Sequence, residues 1–131
     1  MDKTLLLKSL SDYNVSVYLM RSPLPLEDKI DHCLFHLEQA IEKALKFYLR
    51  YKGVTYMKIP DIQKLLQLCE SNGLPKFGII EQNVDDITDW GIKPRYNFYH
   101  IEDINIYYLV IYGYCQLYNY LSKLEGVNDS L

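Results

Sequence analysis

Apolar side chains recur at helical spacing along most of the chain, and no segment shows the strict two-residue alternation typical of a half-buried strand. The first segment predicts a helix that ends where Ser-Pro-Leu-Pro occupies residues 22–25. The second predicts the longest helix, which begins near Glu27 and ends near Gly53. The predicted buried stripes are Leu6, Leu10, Tyr13, Val17 and Met20 in the first helix, and Ile30, Leu34, Leu37, Ile41, Leu45 and Tyr48 in the second.

Two shorter apolar stripes follow in the middle of the chain. A short helix is predicted after Pro60, and the Asn-Gly-Leu-Pro sequence at residues 72–75 interrupts the chain after it. One further helix is predicted from about Phe77 to Trp90. The inward-facing residues are Ile62, Leu65, Leu66 and Cys69 in the first, and Phe77, Ile80, Val84 and Ile87 in the second.

The last predicted helix begins between Tyr99 and Asp103 and continues to about Leu124. One apolar stripe of this helix is Ile104, Tyr108, Ile111, Cys115 and Tyr118, and its other faces are made apolar too by Tyr107, Val110, Tyr112 and Tyr114. A helix that is apolar all round is buried on more than one side. In so small a protein a second subunit covers the second side most simply, so the pattern favours a homodimer.

Together these helices predict an all-α fold: an antiparallel four-helix up-down bundle with an additional short helix. The predicted domain spans residues 1–125, and residues 126–131 are expected to form a flexible tail.

Composition narrows the class of protein. Hydrophobic residues make up 49% of the 131, which excludes a disordered chain. The net charge of −3 implies that any contact with nucleic acid uses a local basic patch. Three scattered cysteines with no Cys-x-x-Cys pair predict reduced thiols, and with no signal peptide the expected location is the cytoplasm. The uncharged stretch at residues 104–122 is too polar to predict a membrane span.

His32 and His36 lie four residues apart on the second helix and therefore share a face. Paired metal ligands have this spacing, but no third ligand follows at an obvious distance. The sequence favours a histidine at the edge of the core with a hydrogen-bonded ring, so no metal and no cofactor are predicted.

Lys43, Lys46 and Arg50 lie along one face of the same helix and form a basic strip on an acidic protein. Two interpretations stand: a solvated helix face, or a strip that contacts the phosphates of RNA or a nucleotide. Glu42 and Lys46 are spaced as an i, i+4 ion pair.

Arg95 and His100 stand five residues apart just before the last helix. Histidine titrates near neutral pH and transfers protons, and arginine stabilises the extra charge of a pentacoordinate phosphate. Both groups suit RNA cleavage without a metal ion. Tyr96, Asn97 and Tyr99 lie between them as candidate RNA- or nucleotide-binding residues, the tyrosines by stacking on a base.

Three segments, in the same order along the chain, resemble the HEPN family of small helical proteins. The sequence Gln-Ala-Ile-Glu-Lys-Ala-Leu-Lys at residues 39–46, preceded by an aromatic residue, is similar to the family's second-helix signature. Residues 60–66 resemble its Thr-His-Asp-Leu-x-x-Leu-Leu segment, with proline in place of the histidine. Arg95-Tyr96 resembles the Arg-Tyr pair that precedes the last helix in the family.

The resemblance implies two hypotheses of different classes. In the first, the protein is a homodimeric, metal-independent ribonuclease, a toxin of a toxin–antitoxin-like system with Arg95 and His100 as catalytic residues. In the second, it is a non-catalytic module that binds a nucleotide or a nucleotidyltransferase partner. The resemblance also implies a minimal nucleotidyltransferase as the partner or antitoxin.

Overall fold

The computed structural model describes residues 1–56, 58, 61–92 and 101–127, and within these ranges all regular secondary structure is helical. The all-α prediction is therefore confirmed. The described residues form six helices rather than the five predicted: α1 (Thr4–Arg21), α2 (Leu26–Tyr51), α3 (Ile62–Ser71), α4 (Gly78–Gln82), α5 (Val84–Ile92) and α6 (Ile101–Ser122).

The ends of α1 and α2 follow from local backbone chemistry. Ser22 is extended, as expected for a residue that precedes a proline, and α1 stops at the residue before it. Gly53 has a φ of +70°, the left-handed conformation that commonly ends a helix. The next amide, that of Val54, donates to the carbonyl oxygen of Leu49 at 2.8 Å and closes the end of α2.

The extra helix arises because Asn83 interrupts the predicted helix from Phe77 to Trp90. Its side-chain amide donates to the carbonyl oxygen of Ile79 at 2.7 Å, and its backbone amide donates to that of Ile80 at 3.2 Å. Asparagine competes in this way with regular helical hydrogen bonding. The single predicted helix is therefore wrong, and α4 and α5 take its place.

Helix α2 occupies the centre of the fold. It packs against α1, α3, α5 and α6, while α3 also contacts α5 and α4 contacts α6. The predicted buried stripes of α2 and α3 are both confirmed, since every one of their members is buried. The up-down order of a four-helix bundle stays a prediction.

Two serines of α1 face α2 where apolar residues were expected. The Ser9 hydroxyl donates to the carbonyl oxygen of Ala40 at 2.6 Å, and the Ser16 hydroxyl donates to that of Cys33 at 2.7 Å. Both serines are fully buried, whereas of the predicted α1 stripe only Leu6 is buried. Small side chains that bond to a neighbouring helix backbone let α1 and α2 approach closely.

The same two serines also bond to tyrosines of α6. Ser9 Oγ lies 2.8 Å from the hydroxyl oxygen of Tyr114, and Ser16 Oγ lies 2.9 Å from that of Tyr107. Both tyrosines are buried. A buried phenol needs such a partner, so the repeated pair fixes which face of α6 turns inward.

The α6 stripe that begins at Ile104 is not the face that enters the core, and the other apolar face of the helix turns inward. Tyr108 is exposed, and the other four members of that stripe are only half-buried. The residues that enter the core are Tyr107, Val110, Tyr114, Leu117 and Leu121.

The chain remains packed just beyond α6. Gly126 has a φ of +84°, and the side chain of Val127 is buried in the core. Residues 128–131 of the predicted tail lie outside the described residues. No helix within the described ranges is long and apolar enough to cross a membrane.

Candidate functional site

The predicted catalytic residues Arg95 and His100, with Tyr96, Asn97 and Tyr99 between them, lie outside the described residues. Their flanks are described: α5 ends at Ile92 and α6 begins at Ile101. The predicted site therefore lies in the connection between these two helices.

Buried residues hold both ends of this connection. Trp90, in the last turn of α5, belongs to the hydrophobic core, and Asp103, in the first turn of α6, is buried. Within the described part of the chain, the indole N–H of Trp90 has no hydrogen-bond acceptor. The last turn of α5 and the first turn of α6 are therefore each anchored by a buried residue.

A buried carboxyl, that of Glu38 on α2, lies against the last turn of α5. The Glu38 side chain is only 1% exposed, and Oε2 accepts a hydrogen bond from Gln39 Nε2 at 2.8 Å. A Cβ placed on Gly91 would lie 2.3 Å from the same oxygen. The carboxyl therefore touches the backbone of α5 one residue before that helix ends.

Burial raises the pKa of the Glu38 carboxyl to about 7, because desolvation penalises the charged form. The hydrogen bond from Gln39 lowers the pKa, the negative charge of Glu42 raises it, and Lys46 and Lys43 lower it. We therefore expect Glu38 to change charge near neutral pH, at its contact with the last turn of α5.

We expect this carboxyl to make the stability of the protein depend on pH. The folded state binds the proton more tightly than the unfolded chain, whose glutamate titrates near 4.5, so the contribution is complete below that pH. As pH rises from about 4.5 to about 7 the free energy of unfolding falls by up to about 3 kcal/mol. Urea unfolding across this range measures the fall.

The neutral isostere Glu38→Gln is the control for this effect, because it cannot ionise. The difference in unfolding free energy between wild type and Glu38→Gln should change with pH by that amount. A difference that stays constant between pH 4.5 and 8 would contradict the assignment.

Two of the three basic residues of the predicted strip have acidic partners within the chain. Lys43 pairs with Asp12 of α1, and Lys46 Nζ lies 3.5 Å from Glu42 Oε2, the pair expected from the sequence. The ammonium group of Lys46 also lies 6.0 Å from the ring centroid of Tyr56. Arg50, one turn further along, is exposed.

His36 has the hydrogen-bonded ring that the sequence favoured. Its Nδ1 lies 2.9 Å from Asp12 Oδ1, and the other oxygen of the same carboxylate contacts Lys43. Asp12 therefore links α1 to two residues of α2, while His32 is exposed. In residues 1–56, 58, 61–92 and 101–127, no three His, Cys, Asp or Glu side chains are grouped to hold a metal ion.

Comparison with protein families finds a match to the HEPN domain model over residues 5–107. The match spans most of the chain and includes the second-helix signature, the Arg95–His100 segment and the start of α6. The chain belongs to the HEPN family. No curated protein and no solved structure matches it.

An exposed apolar surface on α6 is the other notable feature of this HEPN domain. Tyr108, Leu109 and Tyr112 each expose more than half of their side-chain area. A groove of about 430 Å³ adjoins Tyr108, and α1 lines its other side with Tyr13 and Val17. Monomeric proteins rarely leave large apolar side chains grouped in this way.

Sequence reasoning did not single out Glu38 or Gly91 in this HEPN domain. A signal was present, because Glu38 is four residues after Leu34 and three before Ile41, both members of the α2 stripe. A carboxyl at such a position, on the face of an apolar stripe, is a candidate for a buried acid, and fully buried glutamates are unusual. No feature of the sequence pattern indicates the contact between Glu38 and Gly91.

Proposed function

We propose that this HEPN protein is a dimeric, metal-independent ribonuclease of a toxin–antitoxin-like system. The observation that carries the proposal is the arginine and histidine, five residues apart, in the α5–α6 connection of a chain matched by the HEPN model. Membership of the HEPN family supports the helical scaffold, and the arginine and histidine are residue types that suit RNA cleavage without a metal ion.

In the proposed reaction, the 2′-hydroxyl oxygen of RNA attacks the adjacent phosphorus, and the bond to the 5′-oxygen of the next nucleotide breaks. His100 accepts the proton of the 2′-hydroxyl or gives one to the leaving 5′-oxygen. Arg95 stabilises the extra negative charge of the pentacoordinate phosphate. The products are a 2′,3′-cyclic phosphate and a 5′-hydroxyl end, so atoms and charges balance without an added reagent.

Cleavage of RNA in the presence of EDTA tests this proposal. Purified protein is incubated with labelled single-stranded and structured RNAs, and the product ends are identified by mass. We expect turnover that EDTA does not change, with 2′,3′-cyclic phosphate ends. An intact protein that cleaves none of these RNAs, and whose expression is not toxic, would overturn the proposal.

A second candidate function is a non-catalytic module that binds a nucleotide or a minimal nucleotidyltransferase. One observation favours the form of it that binds a protein partner: Lys43 and Lys46 already have carboxylate partners, which leaves Arg50 as the exposed cation of the predicted phosphate strip. The same EDTA experiment discriminates the two, because a binding module gives no products. Co-purification with a nucleotidyltransferase encoded beside the gene would then support the module.

The exposed surface of α6 supports the homodimer that the proposal requires. Tyr108, Leu109 and Tyr112 lie on the helix that follows the proposed site in the sequence, and a second copy of the chain would cover this exposed apolar face. Large aromatic residues bury 150–250 Å² each, and tyrosines suit partly hydrated interfaces.

We expect Leu109→Glu to weaken the dimer about 100-fold, because it places an unpaired charge in an apolar interface. Sedimentation equilibrium measures the dissociation constant. Leu24→Glu is the matched control: Leu24 is 49% exposed and Leu109 52%, but Leu24 lies in the α1–α2 connection. Equal effects of the two substitutions would count against the α6 interface.

A further inference from the structure

Helix α1 has an exposed face on which charged residues are a minority. These residues form the outer face of α1: Thr4, Leu7, Lys8, Ser11, Asn14, Val15, Tyr18 and Arg21. Leu7 and Tyr18 each expose more than half of their area, and Val15 is exposed too. The exposed face of a helix in a globular protein is ordinarily charged or polar. Large apolar side chains along this one give it the composition of a contact surface.

The uncharged residues of the outer face follow the spacing at which two helices pack side by side. Alternate steps of three and four residues separate Thr4, Leu7, Ser11, Asn14 and Tyr18. A repeat that averages 3.5 residues keeps one stripe of a helix turned towards a neighbouring helix that runs alongside. The stripe that faces α2 and α6 is a different one, because it contains the buried Ser9 and Ser16. Helix α1 thus has a second stripe suited to helix packing, on its outer face.

A depression of about 540 Å³ lies on the outer face, and the described residues that line it lie between Leu7 and Leu19. In helix packing, a side chain of one helix fits between four residues of its neighbour, at positions i, i+3, i+4 and i+7. The lining contains two such sets, which share Ser11 and Asn14: one begins at Leu7 and the other ends at Tyr18. The depression can therefore receive two successive side chains of a packed helix.

The charges at the edges of the outer face are positive, although the net charge of the chain is −3. Lys8 and Arg21 are exposed, and on a helical wheel they lie on opposite sides of the uncharged stripe. The one acidic residue of α1, Asp12, contacts His36 and Lys43 of α2. Positive edges favour a partner helix that has carboxylates on both sides of its apolar stripe.

A second copy of the chain suits this face less well. It would bring Lys8 and Arg21 to a face that already carries the same two cations, and like charges oppose association. A chain that used both α1 and α6 for self-association would form tetramers or open chains, whereas the proposed function requires a dimer. The outer face of α1 therefore suits a different protein.

A lipid surface is also a poorer occupant than a protein helix. Ser11 and Asn14 lie in the middle of the uncharged stripe. Polar groups have no hydrogen-bond partners among acyl chains. Polar side chains of a packed helix can supply such partners, and a single polar residue in a helix-packing stripe sets the register of the pair.

We propose that the outer face of α1 is a docking site for an amphipathic helix of another protein, one with large apolar residues along its packing stripe and carboxylates along its edges. This inference goes beyond the ribonuclease function and does not depend on it. Docking on α1 and cleavage of RNA can each fail without the other.

Two synthetic helical peptides test the charge preference. Both carry leucine at the two packing positions of each heptad, and the flanking positions carry glutamate in one peptide and lysine in the other. Fluorescence anisotropy at low salt should show that the glutamate peptide binds wild type about tenfold more tightly. The preference should disappear in the double variant Lys8→Glu/Arg21→Glu. Equal affinities of wild type for the two peptides, or no binding of the glutamate peptide below about 1 mM, would overturn the proposal.

A pair of tyrosine substitutions tests where the glutamate peptide binds. Tyr18→Ala should weaken its binding about tenfold or more, because the ring forms one wall of the depression. Tyr112→Ala is the matched control, since Tyr112 also exposes more than half of its area but lies on α6. It should change the dissociation constant by less than about twofold. Equal effects of the two substitutions, in proteins with the circular dichroism of wild type, would contradict docking on α1.

The same Tyr18→Ala variant tests the two other occupants. Sedimentation equilibrium shows whether wild type forms species larger than a dimer that Tyr18→Ala removes, as a second copy on this face requires. Co-sedimentation with vesicles of phosphatidylserine and phosphatidylcholine shows whether wild type binds lipid and Tyr18→Ala does not. We expect neither result, and either one would overturn the assignment of this face to a partner helix.

Discussion

Replacing His100 with alanine is expected to reduce the rate of RNA cleavage by about 10²- to 10⁴-fold, the range over which a positioned acid or base accelerates proton transfer. Alanine can neither accept the proton of the 2′-hydroxyl nor donate one to the leaving oxygen. Because the proposed mechanism has His100 act in the transition state, kcat should fall while KM changes little. Single-turnover cleavage of a labelled RNA measures the loss.

The matched control is His32→Ala, which removes an exposed imidazole from α2. It should leave cleavage within about twofold of wild type, since surface changes away from a site have small effects. A folded His100→Ala protein that cleaves RNA at the wild-type rate would remove His100 from the mechanism. Arg95→Lys separates the effect of the charge of Arg95 from that of its shape, because lysine keeps the charge but not the planar two-pronged geometry of the guanidinium.

Replacing Tyr114 with alanine is expected to lower the free energy of unfolding by about 3–5 kcal/mol, as for other large buried aromatic residues. The substitution removes the buried ring, its stacking on Tyr13 at a centroid distance of 4.9 Å, and the hydrogen bond with Ser9. Urea unfolding followed by circular dichroism, at one fixed protein concentration, measures the change.

Tyr114→Phe separates the ring from its hydroxyl and should cost only about 1 kcal/mol, because the Ser9 hydroxyl keeps its bond to the Ala40 carbonyl. Tyr18→Ala is the control for a surface tyrosine: its side chain is 75% exposed, and we expect a change within about 0.5 kcal/mol. If Tyr114→Ala costs no more than Tyr18→Ala, the inward orientation assigned to α6 is wrong.

Helices α2 and α6 show how much of the fold the sequence could predict. In α2 the polar and apolar positions segregate, so only one face can turn inward, and every residue of its predicted stripe is buried. In α6 nearly every face is apolar, so periodicity offers several equivalent orientations. The choice among them depends on hydroxyl partners supplied by α1, which the α6 sequence does not contain.

The region of the candidate site also has one part that the sequence predicts and another that only the structure shows. Arg95 and His100 were identified from their spacing and from the resemblance to HEPN proteins, both of which are properties of a continuous segment. Glu38 and Gly91 are distant in sequence and carry no shared motif. They touch because α2 and α5 pack against each other in one particular alignment along their axes. Many side chains together determine that alignment.

The sequence by itself determined the helical class, the family, the central amphipathic helix and the chemistry available at Arg95 and His100. These follow from patterns read over a few helical turns or over one short segment. Only the tertiary structure decided which tyrosines of α6 enter the core, which lysines of α2 form ion pairs with carboxylates, and which carboxyl contacts the last turn of α5. The physical reason is that each of these depends on a partner from another helix, and packing rather than local sequence brings partners together.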